Sequence, residues 1–362
     1  MADAHALPRV SVVMSVRNGE AFLAAALASV MRQTMRDFEC IVIDDGSHDG
    51  TPTLLVHAAR DDARLRVLRQ DGGQGLVAAL NLGCSIARAP LIARMDADDV
   101  SLPDRLERQL ERLARQPALV VLGGAALFVD AQDRLLPADP TPTGPRALER
   151  ALWRGDCPLI HPTVVMRRAA FEAVGGYRAC IAHAEDFDLW LRLSERGELD
   201  NLAEPVLRYR RHPQQVSIRH HAEQALSNLA ARASARARRA GRPDPLAGCT
   251  GLDEAALERL GLDAAARSAA VARATLTSAR SLADAGELTQ ARQLLDALRA
   301  PASAAALGPA LRADLRLELA RLEWRQGRAL PAAGAFMRAL LGRPRVALRP
   351  LKPWLGRPPH IS

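Results

Sequence analysis

The first 130 residues repeat one pattern: a short apolar run, a cluster of polar residues, then a segment with helical spacing. The apolar runs are Val10 to Ser15, Phe38 to Asp45, Leu65 to Arg69 and Leu91 to Asp96. The helical segments are Glu20 to Gln33, Thr51 to Arg60, Gly75 to Ala87 and Pro103 to Arg115, the last with proline at its first turn. Strands that are apolar throughout must be covered on both faces, so this alternation predicts an α/β fold built on a mostly parallel sheet. In such a sheet ligands bind at the carboxyl ends of the strands. Three of the runs lead into polar clusters: Arg17-Asn18 just after Ser15, Asp44-Asp45-Gly46-Ser47, and Asp96-Ala97-Asp98-Asp99. The topology places all three at one edge and makes them a single site.

The pattern does not continue to the end. Residues 131–215 are more mixed, with short strands and one expected helix from Glu185 to Arg196, and after about residue 220 Ala, Arg and Leu dominate while strand signals stop. The expected organisation is a catalytic-type domain over 1–220, an all-α extension over 221–345, and a basic Pro-rich tail over 346–362. Arg232 to Pro245 reads as a linker. Two stretches 41 residues apart, Ala279-x6-Gly286-x4-Ala291-x3-Leu295 and Ala320-x6-Gly327-x4-Ala332-x3-Phe336, fit either a helix–turn–helix repeat or a plain helical bundle. Charge follows the same division. Residues 216–362 hold 23 Lys and Arg against 12 Asp and Glu, whereas residues 1–215 hold 26 against 29. The net charge of +8 therefore lies wholly in the C-terminal part. A basic surface of this kind suits peripheral contact with an anionic membrane; nucleic acid is not the expected partner. No run approaches the roughly 20 apolar residues that span a bilayer, and MADAHALPRV lacks the regions of a secretory signal, which points to the cytoplasm. Cys40, Cys84, Cys157, Cys180 and Cys249 form no C-x-x-C pair and read as reduced, buried thiols.

The carboxylates of RMDADD carry the strongest chemical signal. Two Asp one residue apart after an apolar strand can share Mg²⁺ or Mn²⁺ with phosphate oxygens, and such an ion neutralises a diphosphate as it leaves. The alternative is that Asp98 or Asp99 caps the helix that begins near Pro103.

The wider context is more specific. SVVMSVRNGEAFLAAALASVMRQT, FECIVIDDGSHDGT, ALNLGCSIARAPLIARMDADDVSLPDRLERQ and HAEDFDLWLRL, taken in order across residues 9–217, resemble the family 2 inverting glycosyltransferases. The resemblance implies a GT-A fold (a Rossmann-like mixed sheet), a nucleotide-diphospho-sugar donor, which is a UDP-sugar if a carboxylate here reads uracil, and Mg²⁺ or Mn²⁺. It implies an acceptor hydroxyl on a saccharide or lipid-linked molecule, with envelope polysaccharide or glycolipid assembly as the usual setting. It places Ser15, Arg17 and Asn18 on the nucleotide, Asp44 or Asp45 on the base, and Arg69 on the nucleotide or diphosphate. Asp96 falls on ribose and metal, Asp98 on the metal, and Asp99 at the following helix as a cap. Asp186 is the implied catalytic base, and Glu185 orients the acceptor. His161 lies where the family has a buried polar residue near the acceptor. His212, in YRRHPQQVS, either donates to the diphosphate or completes the metal shell. Trp190 is expected in the core. The non-enzymatic alternative is a GT-A protein that has lost activity and acts as a binding module through its helical extension; intact Asp96, Asp98 and Asp186 argue against it.

Overall fold

The computed structural model describes residues 7–137, 140–211, 220–300, 304 and 307–342. They form two compact units: residues up to 211 together with 235–244 and 248–251, and the remainder.

The first unit is built on one eight-stranded sheet. Its elements begin β1 (Val10–Val16), α1 (Leu23–Met31), β2 (Phe38–Asp44), α2 (Thr51–Asp61), β3 (Leu65–Arg69), α3 (Leu76–Ser85), β4 (Leu91–Asp96), β5 (Val100–Ser101) and α4 (Arg105–Arg115). They continue with β6 (Leu119–Val129), α5 (Pro145–Arg154), a 3₁₀ turn (His161–Thr163), β7 (Val165–Arg167), α6 (Arg168–Ala173), α7 (Glu185–Leu193) and β8 (Glu198–Arg210). The strand order is β3-β2-β1-β4-β7-β6-β8-β5. The first four strands are parallel, as the alternation of apolar runs and helices predicts. β7 runs antiparallel between β4 and β6, and β5 antiparallel against β8, so the whole is a mixed sheet. Every residue of β2 is buried, the signature of a central strand covered on both faces. Helix α3 lies so close to β1 that a Cβ on Gly83 would come within 2.5 Å of Val13 Cγ1, so only glycine fits there.

Register fixes the polar edge. Val16 pairs with Asp44, Asp44 with Arg69, and Ser15 with Asp96, so the ends of four strands are level. The single edge inferred from the order of apolar and polar runs is present.

In the second unit, α8 (His221–Arg239), whose last turn belongs to the first unit, is followed by α9 (Glu254–Arg259), α10 (Ala264–Asp284), α11 (Leu288–Arg299), α12 (Pro309–Arg325) and α13 (Ala329–Gly342). Asp253 and Asp263 cap α9 and α10, each accepting at 2.7 Å from the amide three residues on. Leu276, Leu282, Leu295, Leu311, Leu315 and Leu322 share one apolar core. The two sequence-similar stretches are two helical hairpins, α10–α11 and α12–α13, each turning at a glycine with positive φ: Gly286 at 89° and Gly327 at 75°. The linker reading of Arg232 to Pro245 is corrected: α8 runs unbroken to Arg239, since its Ala and Arg residues are strong helix formers and proline first occurs at residue 243. None of the described helices is long and apolar enough to cross a membrane. The tail after residue 342, including the segment read as basic and Pro-rich, lies outside the described residues.

The thiols also depart from expectation. Cys40, Cys84 and Cys180 are buried, but Cys157 is exposed and Cys249 half-buried; all five are free.

Candidate active site

The donor side is assembled from loops that brace one another. Asn18, in a left-handed conformation (φ 54°), donates its amide to Ser47 Oγ at 2.9 Å and accepts at 2.9 Å from the His48 amide through Oδ1. This clamps the loop after β1 to the loop after β2. Asp45 accepts from the amides of Gln74 and Gly75 at 2.7 and 2.9 Å, so both of its oxygens hold the glycine-rich loop ahead of α3. Asp44 is only 1% exposed; its Oδ1 accepts from the Ser47 amide, while Oδ2 has no hydrogen-bond partner and lies 3.7 Å from Arg69 Nε. Arg69 also donates to the Ser47 carbonyl at 3.0 Å. The guanidinium of Arg17 lies over Gly73, within 2.6 Å of where a Cβ there would be. Of the two acidic candidates for reading a base, the geometry leaves Asp44 with an oxygen to spare and Asp45 without one. Ser15, the penultimate residue of β1, lies at this edge in register with Asp96.

The acidic cluster follows β4. Oxygens of Asp96, Asp98 and Asp99 lie within 4.8 Å of one another, a set of hard donors that could hold a divalent cation. The expectation that Asp99 caps the next helix is corrected. That helix begins after Asp104, with no side-chain cap, and Asp99 is instead buried at 2% exposure, accepting from the Arg210 amide at 2.8 Å. The two-residue strand β5 intervenes and turns Asp99 toward β8. Its Oδ2 has no hydrogen-bond partner. Burial, then the charges of Asp96 and Asp98, push its carboxyl well above the usual range. Three carboxylates held this close are relieved by a cation.

The acceptor side is the N-terminus of α7. Glu185 is buried, and burial followed by the charge of Asp186 pushes its carboxyl up to about 7. Asp186 is half-buried and is also raised by burial, against the amide of Phe187, which donates to Oδ1 at 2.7 Å, the charge of Arg94 and the thiol of Cys157, 3.7 Å from Oδ2. α7 is seated by a buried ion pair: Arg192 donates to Asp188 at 2.8 Å and to the carbonyls of Val174 and Gly176 at 2.8 and 2.7 Å.

Arg94 joins the two sides. It is 4% exposed, in mid-strand on β4, and ion-paired with Asp96. Its charge also reaches Glu185, Asp186 and His161. The His161 ring bonds the Tyr177 hydroxyl at 2.8 Å and meets Trp190 edge-on. Burial, then Arg94, hold its imidazole well below the ordinary value, so it is neutral at pH 7. Trp190 is fully buried, as expected of a core residue. His212 lies outside the described residues. Sequence reasoning did not single out Arg94 or Cys157; an arginine inside the apolar run LIARMD is the one signal that was available for the former.

Comparison with known proteins identifies the family and the fold. The model of glycosyl transferase family 2 matches residues 11–175. EpsE of Bacillus subtilis is 34% identical over 197 residues, covering 52% of this chain and 68% of the relative. The O-antigen biosynthesis glycosyltransferase WbnJ of Escherichia coli is 32% identical over 210 residues, covering 57% of this chain and 81% of its own length. Among solved structures, S. aureus TarS 1-349 in complex with UDP-GlcNAc shares the fold at a TM-score of 0.53 and 14% identity, with 92% of each chain covered. The mannosyltransferase PcManGT of Pyrobaculum calidifontis, in complex with GDP-Man and Mn²⁺, does so at 0.50 and 19%, covering 92% of this chain and 88% of that one. The chain is a glycosyltransferase of GT-A fold and belongs to family 2.

Proposed function

We propose that this glycosyltransferase moves a sugar from a nucleoside-diphospho-sugar to an acceptor hydroxyl in one inverting step, with Asp186 as the base. The observation that carries this reading is the placement of two acidic groups, Asp96-Asp98-Asp99 and Glu185-Asp186, around one buried cation, Arg94. One group suits a diphosphate and its counter-ion; the other suits proton removal. The environments of the second pair divide the labour. Glu185, held up to about 7, retains its proton over much of the neutral range and can donate a hydrogen bond. Burial raises Asp186 as well, but it accepts hydrogen bonds on both oxygens, which oppose that rise and favour its ionised form.

Asp96 and Asp98, joined by Asp99, fit Mg²⁺ or Mn²⁺, and the unpartnered Oδ2 of Asp99 supports that fit. Such an ion, when bound, neutralises charge on the departing diphosphate. We assign Asp44 to the base: its Oδ2 has no hydrogen-bond partner, and a ring N–H, which uracil offers, would supply one. The neighbours in complex with UDP-GlcNAc and with GDP-Man support a sugar nucleotide as donor. The kinship with an O-antigen enzyme supports envelope polysaccharide as the setting.

The test is donor turnover. UDP-glucose, UDP-GlcNAc and GDP-mannose, each with Mn²⁺, are incubated with the enzyme and free nucleoside diphosphate is measured. At least one is expected to be consumed, with loss of turnover in EDTA and in Asp98→Asn. Turnover that survives EDTA undiminished removes the metal; no binding or release with any sugar nucleotide favours the inactive binding-module alternative.

A further inference from the structure

The segment between α5 and the 3₁₀ turn places one thiol against the carboxylate assigned as base. Cys157 Sγ lies 3.7 Å from Asp186 Oδ2 and 3.4 Å from the Leu159 carbonyl oxygen. Asp186 Oδ1 is held from the other side by the Phe187 amide at 2.7 Å. The carboxylate is thus gripped on both oxygens, once by its own helix and once by a residue 29 positions earlier in the chain. The residue as a whole is exposed, but its sulfur is turned onto Asp186.

We propose that Cys157 is a positioning residue for the base: its thiol orients Asp186 and supports it in both protonation states. This inference rests on the reading of Asp186 as base. A thiol carries one hydrogen and faces two acceptors here. While Asp186 is ionised, the hydrogen points to Oδ2, because a charged acceptor outcompetes a neutral one. When Asp186 takes the proton of the acceptor hydroxyl, that carboxyl no longer needs a donor, and the thiol hydrogen turns to the Leu159 carbonyl. No proton leaves the sulfur, and the only transfer is from hydroxyl oxygen to carboxylate. The thiol remains a thiol throughout, since loss of water around the sulfur, and then the carboxylate's charge, push it well above its ordinary value. The other titratable or charged groups that interact with Asp186 are Glu185 on the same helix, Arg94 on β4 and Tyr177 after α6, whose phenol is kept neutral by burial and nearby carboxylates. Cys157 is the neighbour whose removal changes a hydrogen bond without changing a charge.

Two measurements separate this inference from the reading beneath it. The first needs no activity. Alkylation of each cysteine by iodoacetamide at pH 8 is followed by peptide mass spectrometry in wild type and Asp186→Asn. Removing a negative charge beside the sulfur lowers the thiol's pKa, so Cys157 should react about tenfold faster in the variant, with Cys249 as the internal control. Equal rates at Cys157 overturn the contact, whatever Asp186 does. The second uses whichever sugar nucleotide of the panel above is turned over. Cys157→Ala removes a donor to the ionised carboxylate, so the acid limb of the kcat profile should move up by about half to one pH unit, with donor KM unchanged. Cys157→Ser, which restores a donor, should bring the limb back. An unmoved limb in Cys157→Ala, with Asp186→Asn inactive, overturns the positioning role and leaves the base intact. An active Asp186→Asn overturns the base reading and the positioning role with it.

Discussion

At the scale of single residues, the two carboxylates opening α7 differ in what surrounds them, and that difference can be measured. Asp186→Asn keeps size and most hydrogen bonds but cannot accept a proton. A positioned base contributes about 10²–10⁴-fold, so kcat should fall by that factor with donor affinity nearly unchanged. Glu185→Gln should be milder in kcat and distinctive in stability. Glu185 titrates near 4.5 when unfolded and about 7 when folded. A carboxyl raised by folding favours the folded state while protonated, so the wild type loses stability as pH rises from about 4.5 to 7, and glutamine removes that loss. In metal-free buffer Glu185→Gln should melt close to wild type at pH 4 and higher than wild type at pH 8. Equal melting at both pH values would refute the burial of a protonated Glu185. Much of this site was legible as sequence, because Asp96, Asp98, Glu185 and Asp186 sit in long ordered motifs. Asp99 was not: its role depends on the two-residue strand β5, too short to leave a pattern, which points it at Arg210 rather than at the next helix. Cys157 was equally invisible, since contact between residues 157 and 186 is a property of the folded chain alone.

At the scale of elements, α7 is the piece on which Glu185 and Asp186 depend, and it is held by charge as well as by apolar packing. Asp188 is fully buried and Arg192 is 3% exposed. Arg192 carries the pair across to the turn at Val174 and Gly176, fixing where Glu185 and Asp186 stand. Breaking a buried pair by deleting one partner typically costs about 3–5 kcal/mol, because the other charge is stranded. Arg192→Ala should therefore destabilise the protein by about that much in denaturant melts, whereas replacing both members by apolar residues of similar size should cost less. A loss below about 1 kcal/mol in the single variant would mean that Asp188 finds a full replacement in Arg178, 3.6 Å away. Apart from β5, helices and strands of the first 115 residues follow the sequence pattern closely, since each strand is a continuous apolar run and each helix has one apolar face, both with clear ends. The next hundred residues do not. α5 and α6 were not anticipated, and β6 with β8 form long paired strands whose register breaks near Gly124 and Ala125. Strand pairing over a separation of about 80 residues leaves no local periodicity to read.

At the scale of the whole molecule, a cut near residue 220 follows the change in composition, but the first unit also includes 235–244 and 248–251. Composition marks where strand signals end; it does not mark a helix whose last turn returns to the sheet domain. The returning residues are tied in by charge. Asp244 bridges Arg178 and Arg238, Arg238 also pairs with Glu195 at 2.7 Å, and the Arg239 guanidinium lies 4.4 Å from the centre of the Trp153 ring. Asp244 and Arg238 have side chains only 13% and 15% exposed, so these contacts are poorly screened. Truncation after Pro213 therefore removes Asp244 from Arg178 and leaves Glu195 and Trp153 uncovered, while truncation after Gly251 keeps every one of these contacts. If the network is worth about 3 kcal/mol, and each kcal/mol shifts Tm by roughly 2–4 °C in a domain of this size, the shorter chain should melt about 6–12 °C below the longer one. High salt should narrow the gap little, because the pairs are largely out of solvent. Equal melting of the two truncations would show that residues 235–251 cover the first unit without supporting it.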